Sequence, residues 1–181
     1  MSVKDSTAGY GSLSIALHWI GAALVIALFI LGNRLEDIPK GPDFIAARNL
    51  HVGLGVIGFA FLAARILWRL ASPVPHVASK SPALDRVAVF VQAALLALIA
   101  VLIVTGPLSI WAGGRPINLF DIASIPSPMP KIDWLHEGLE VVHAIASKAI
   151  LVLVGLHVLG ALKHAIVDRD GLIRRMLVPA R

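Results

Sequence analysis

Residues 151–164 read LVLVGLHVLGALKH, an apolar run with His157 at its centre. Hydrocarbon penalises an unpaired polar group, so an imidazole at that depth needs a partner from elsewhere in the chain. The composition around this run says what kind of chain supplies one. Of 181 residues, 57% are hydrophobic and 15% charged, and the mean hydropathy is +0.83. A soluble domain of this length is far more polar.

No charge interrupts residues 6–33 or 87–114, and each run is long enough to cross a bilayer core of ~30 Å. A shorter uncharged run, 49–64, is extended by Ile66, Leu67 and Trp68 if Arg65 snorkels to the interface. The fourth run, from Val141 to Ala165, holds His143, Lys148, His157 and Lys163. The reading is an all-α, integral membrane four-helix bundle in one domain spanning residues 1–181, with helices at about 12–33, 43–70, 84–111 and 141–165. The first run is too long for a signal peptide, and no persuasive cleavage site precedes Arg34, so it counts as a spanning helix.

Lysine and arginine in the loops predict orientation. With the N-terminus inside, the inner side holds Lys4, Arg65, Arg69, Lys80, Arg86, Lys163, Arg169, Arg174, Arg175 and Arg181. The outer side holds Arg34, Lys40, Arg48, Arg115 and Lys131. That excess predicts N-in and C-in. The pI of 10.1 is thereby a topology signal and gives no reason to invoke nucleic acid. With no cysteine, disulfides, thiolate-bound Fe–S clusters and covalent c-type haem attachment are excluded.

Seven histidines remain to be placed. His18 falls on the inner half of helix 1 and His157 on the inner half of helix 4, while His51 and His143 fall on the outer parts of helices 2 and 4. Depth therefore predicts two cross-helix pairs, His18 with His157 and His51 with His143. On helix 4, His143 and His157 are fourteen residues apart, which is ~21 Å of rise and a rotation within ~40° of one face. That suits two cofactors stacked through the membrane, and haem iron with two axial histidines fits each pair. Hydrogen bonding between helices is the bland alternative, weakened by four such residues matched in depth. Zinc fits poorly, because HEGLE at 136–140 is not HExxH and ligands ~21 Å apart cannot share one ion. Gly53, Gly55, Gly155 and Gly160, near the ligands in sequence, are expected to leave room for a flat macrocycle.

Other residues carry weaker signals. Arg48, one turn before His51, is a candidate contact for an outer haem propionate, and Arg65 and Arg69 are candidates for an inner one. Interfacial anchoring explains all three as well. His136 and His76 read as solvated loop residues. Lys148 is rotated ~140° from the histidine face of helix 4 and reads as snorkelling outward. Gly106-Pro107 is expected to kink helix 3. The segment 112–139, rich in Pro and Gly, reads as a long outer loop able to act as a lid.

Several segments together resemble the bacterial cytochrome b561 family. They are SIALHWIGAALV at 14–25, NLHVGLG at 49–55, RILWRLASPVP at 65–75, HAIASKAILVLVGLHVLGALKH at 143–164 and DGLIRRMLVP at 170–179. The resemblance covers nearly the whole chain. It implies two haem b groups with His18, His51, His143 and His157 as iron ligands, a location in the bacterial inner membrane, and electron exchange with ubiquinone. It also leaves open whether the chain is a self-sufficient oxidoreductase, with superoxide or another periplasmic-side donor or acceptor, or an electron-transfer and anchor subunit of a larger dehydrogenase or hydrogenase. Many relatives carry a histidine doublet where this chain has Lys163-His164. His164 and Ser14 are the candidate inner quinone site, and Arg115 with Lys131 the candidate outer attraction for an anionic donor.

Overall fold

The computed structural model describes residues 2–6, 9–72, 81–120 and 122–180. His76 and Lys80 lie outside the described residues. Four long helices make the body of the protein: α1 (Ser12–Asp37), α2 (Pro42–Ala71), α3 (Pro82–Ala112) and α4 (Asp133–Lys163). Each is long and apolar enough to cross a membrane. Pro42 and Pro82 open their helices where a missing N–H costs nothing, and Asp43, Asp85 and Asp133 place negative charge in first turns. α3 continues through Pro107 to Ala112.

The bounds of three expected helices hold to within four residues at each end, but α4 begins eight residues before Val141. The added turns, DWLHEGLE, carry charge and Gly138. A search for uncharged runs sees only the apolar part of such a helix. The long outer loop is correspondingly shorter, and it is structured. Strands β1 (Ile117–Leu119) and β2 (Ala123–Ile125) pair antiparallel, with Asn118 opposite Ser124. Phe120 sits between them at φ 48°.

Close helix packing runs along α1/α2, α2/α3 and above all α3/α4. Leu62, Ile99 and Ile150 form the buried centre, surrounded by Val25, Leu98 and Leu102. Most remaining large apolar side chains, Phe90 and Leu70 among them, face outward, as lipid contact allows.

The two chain ends meet. Ser2 N–H donates to the Ala180 carbonyl and Ala180 N–H to that of Tyr10, both at 2.9 Å. Trp19 Nε1 donates to the Met176 carbonyl at 2.7 Å, tying α1 to the tail. Between α4 and the short helix α5 (Leu172–Arg175) lies a π-helical turn, His164–Asp168, closed by Arg169 in the left-handed region. The bundle therefore has a termini end and a hairpin end.

Candidate functional site

Helices α1, α2 and α4 bring histidines toward the bundle interior at two depths. Near the termini end, the His18 and His157 rings stand 6.2 Å apart, centre to centre, inclined by 63°. Arg65 Nη2 lies 3.0 Å from His18 Nδ1. Gly21 makes room for that arginine, since a Cβ there would lie 3.2 Å from Arg65 Cδ.

Near the hairpin end, His51 and His143 line one cavity of about 990 Å³, together with Arg48, Arg115, Trp111 and Lys148. That volume is at the upper end for sites that enclose a small molecule or cofactor. His143 Nδ1 is 2.9 Å from Thr105 Oγ1 on α3. The Leu28 carbonyl stands near the His51 ring, but the buried His51 Nδ1 closes no hydrogen bond of good geometry, and neither does Trp111 Nε1 in the same cavity wall. Buried polar atoms left this way are costly. Two such atoms in one largely apolar wall fit a cavity that encloses a cofactor.

Both histidine pairs span α1/α4 or α2/α4, which are not the closely packed helix pairs. A planar group would therefore enter between helices without forcing apart a packed interface. Glycines contribute, Gly55 of the expected set among the residues that line the cavity with His51 and His143. Cβ atoms at Gly32 and Gly106 would lie 3.1 Å and 3.3 Å from Cε1 of His51 and His143. These two glycines, on neighbouring helices, make space for the imidazoles themselves. Gly53 serves another purpose: a Cβ there would lie 2.8 Å from the Phe120 ring, so it seats the hairpin on α2. A Cβ at Gly155 or Gly160 would meet nothing within 4 Å, and one at Gly55 only Leu28, so these three glycines do leave open space as expected.

Other sequence-predicted residues fall as follows. Arg48 lines the cavity at the hairpin end, one turn from His51. Arg65 contacts His18 directly, and Arg69 follows one turn later on α2. Lys148 pairs with Glu36 at the end of α1, 3.5 Å away, so its charge reaches the boundary and finds a carboxylate there. Ser14 and His164 have separate partners. The Ser14 hydroxyl donates to Asp5 Oδ2 and accepts from Trp68 Nε1, both at 2.7 Å. His164 Nδ1 lies 2.6 Å from Asp170 and 3.3 Å from Asp168.

His136 corrects the expectation of a solvated loop residue. It belongs to the first turns of α4, and its Nδ1 donates to the Ser109 carbonyl at 2.8 Å. Its Nε2 lies 3.4 Å from Glu140 and 3.5 Å from Arg115. It thus fastens α4 to α3. The only sequence signal was its spacing of four from Glu140, which needs the helix to be recognised first.

Four apolar helices, each able to cross a membrane, with histidines turned inward at two depths, define the class: a multi-pass membrane protein with an interior histidine site at each depth. The family model for the prokaryotic cytochrome b561 proteins matches residues 9–179, and the chain belongs to that family. It is 30% identical over 179 residues to cytochrome b561 homolog 2 of Escherichia coli, covering 98% of this chain and 95% of the relative. It is 29% identical to cytochrome b562 of Cereibacter sphaeroides, covering 94% and 96%. It is 25% identical to the probable superoxide oxidase CybB of Yersinia pestis, covering 95% and 97%. The protein is a membrane electron-transfer protein of the bacterial inner membrane, and its family implies b-type haem.

Proposed function

We propose that this chain carries electrons across the inner membrane through two haem b groups, linking ubiquinone at one face to a one-electron partner at the other. The observation that carries the reading is the histidine pairing at two depths. His18 and His157 would hold one haem, and His51 and His143 the other. When bound, the haem irons supply reversible one-electron redox chemistry. The chain's own residues set spacing, orientation and charge. Fourteen residues of α4 separate the two levels by ~21 Å. Arg48 at one end and Arg65 with Arg69 at the other supply cations for propionates.

The lysine and arginine distribution supports a cytoplasmic termini end, with the hairpin end facing the periplasm. His164 then offers a hydrogen-bonding group for quinone at the cytoplasmic face. The expected partner Ser14 has its donor and one acceptor position engaged, so the weight rests on His164. At the periplasmic face, superoxide is the favoured donor. A relative bears the name of a superoxide oxidase, and Arg48 and Arg115 line the cavity there. The balanced reaction takes one electron from each of two superoxide ions, releasing two O₂, and delivers both electrons with two protons to ubiquinone, giving ubiquinol.

The test is purification from native membranes with haem quantification. Two haems per chain, both six-coordinate and low-spin, with superoxide-driven ubiquinone reduction by the isolated chain, are expected. One haem per chain overturns the two-site reading. A tightly bound partner subunit required for turnover overturns the self-sufficient oxidoreductase.

A further inference from the structure

Helix α3 contributes no histidine, yet it places two polar residues, Thr105 and Ser109, in the protein's interior at 6% and 9% exposure. Ser109 is accounted for: its hydroxyl donates to the Gly106 carbonyl and its own carbonyl accepts from His136. Thr105 faces His143. A threonine hydroxyl has one hydrogen to give and lone pairs to receive. Thr105 Oγ1 stands 2.7 Å from the Val101 carbonyl, which can only accept, so the hydroxyl hydrogen goes there. Toward His143 Nδ1, 2.9 Å away, Thr105 is left able only to accept. The proton of a neutral His143 therefore sits on Nδ1, and Nε2 keeps its lone pair. Gly106, the next residue on α3, lets the ring approach, since a Cβ there would lie 3.3 Å from His143 Cε1.

We infer that Thr105 is a positioning residue for the haem at the hairpin end: it fixes the tautomer and orientation of His143 and draws on the Nδ1 proton, which makes Nε2 a stronger donor. This rests on the proposal that His143 is an iron ligand. A ligand whose remote N–H is hydrogen-bonded is more basic and favours ferric iron. His18 Nδ1 is given no acceptor of this kind: its neighbour at 3.0 Å is Arg65 Nη2, which can only donate. Thr105 thus helps to make the two haems unequal in potential.

Thr105→Val keeps the shape and removes the acceptor, leaving a buried N–H without a partner. Thr105→Ser keeps the acceptor. Each purified holo-variant is compared with wild type by haem-to-protein ratio, potentiometric titration of both haems and low-temperature EPR of the oxidised protein. In Thr105→Val, the haem at the hairpin end is expected to titrate at a higher potential with a shifted low-spin g-value, and to be held roughly 10–100-fold less tightly. The other haem should be unchanged, and Thr105→Ser should restore wild-type values. Wild-type potentials and EPR in a fully loaded Thr105→Val chain would overturn the inference. If Thr105→Val loses that haem outright, retention at wild-type potential in Thr105→Ser supports it, and loss in both overturns it. His143→Ala separates the two readings: if it keeps both haems, His143 is not a ligand and the failure lies with that assignment.

Discussion

Arg65 reaches from α2 to place Nη2 3.0 Å from Nδ1 of His18, the residue that faces His157 across the α1/α4 opening. A guanidinium has no lone pair to offer, so His18 Nδ1 must accept, and the ring proton belongs on Nε2. Iron bound through Nε2 requires the opposite tautomer, with the proton on Nδ1. The two demands conflict, so binding a haem through Nε2 would displace Arg65 from His18 and free its charge for a propionate.

The first prediction follows from that displaced charge. A cation close to a haem stabilises the reduced state, because reduction lowers the local positive charge. Arg65→Gln should shift the potential of the His18/His157 haem downward by roughly tens of millivolts, with partial screening by water. The other haem should not move. Potentiometric titration of the purified variant checks this, and an upward shift would show that Arg65 does not serve the propionates.

Ligand deletion tests the pairing itself. His18→Ala and His157→Ala should each remove one and the same spectral component, and His51→Ala and His143→Ala the other. Reduced-minus-oxidised spectra of the four variants, resolved by potential, settle the matter. If His18→Ala and His143→Ala delete the same component, the depth assignment is wrong.

The third prediction concerns space. Gly32 on α1 lies beside His51, where a Cβ would already be 3.1 Å from Cε1. Gly32→Val adds two methyls beyond that point and must displace the ring. Selective loss of the His51/His143 haem is expected, with the His18/His157 haem retained. Full occupancy of both sites in Gly32→Val would mean the ring has another place to go.

These residues also mark where a single sequence can be read and where it cannot. Uncharged runs located α1, α2 and α3 closely, because lipid contact makes hydropathy a direct signal. The start of α4 is hidden, since DWLHEGLE carries charge and breaks the apolar run, and His136 is misplaced with it. Histidine depth came from counting residues along helices. Gly32 and Gly106 did not, because each accommodates a ring from a different helix, and only packing reveals that. Thr105 escaped for a related reason. Within VLIVTGP a threonine barely lowers the hydropathy, and its hydroxyl can be satisfied by its own helix. The Arg65–His18 contact joins positions 47 apart in the chain, beyond any local periodicity.

The last prediction concerns the termini end, where α4 gives way to the π-helical turn. Such turns often mark functional positions. His164 begins this one, with Nδ1 2.6 Å from Asp170 Oδ2. Asp168, one helical turn on, is engaged by Lys163. The Leu172 N–H donates to Asp170 Oδ1 at 3.0 Å, and this bond, with His164 as a lesser cause, holds the Asp170 carboxyl below the usual carboxylate range. A lowered carboxyl pKa means that Asp170 stays ionised as pH falls through the neutral range, and loses its charge only in more acidic solution. It therefore keeps an acceptor on Nδ1 at working pH, leaving His164 Nε2 for the proposed exchange with quinone. Quinone reduction needs protons as well as electrons, and a positioned acid–base group contributes ~10²–10⁴-fold. His164→Leu should slow quinone-linked electron exchange at least tenfold, leaving both haems bound and spectrally normal. Asp170→Asn should produce a smaller slowing, present at neutral pH and fading as wild-type Asp170 itself becomes protonated. Stopped-flow oxidation of the reduced protein by a short-chain ubiquinone measures both. If His164→Leu exchanges electrons at the wild-type rate, quinone does not use this face of the bundle.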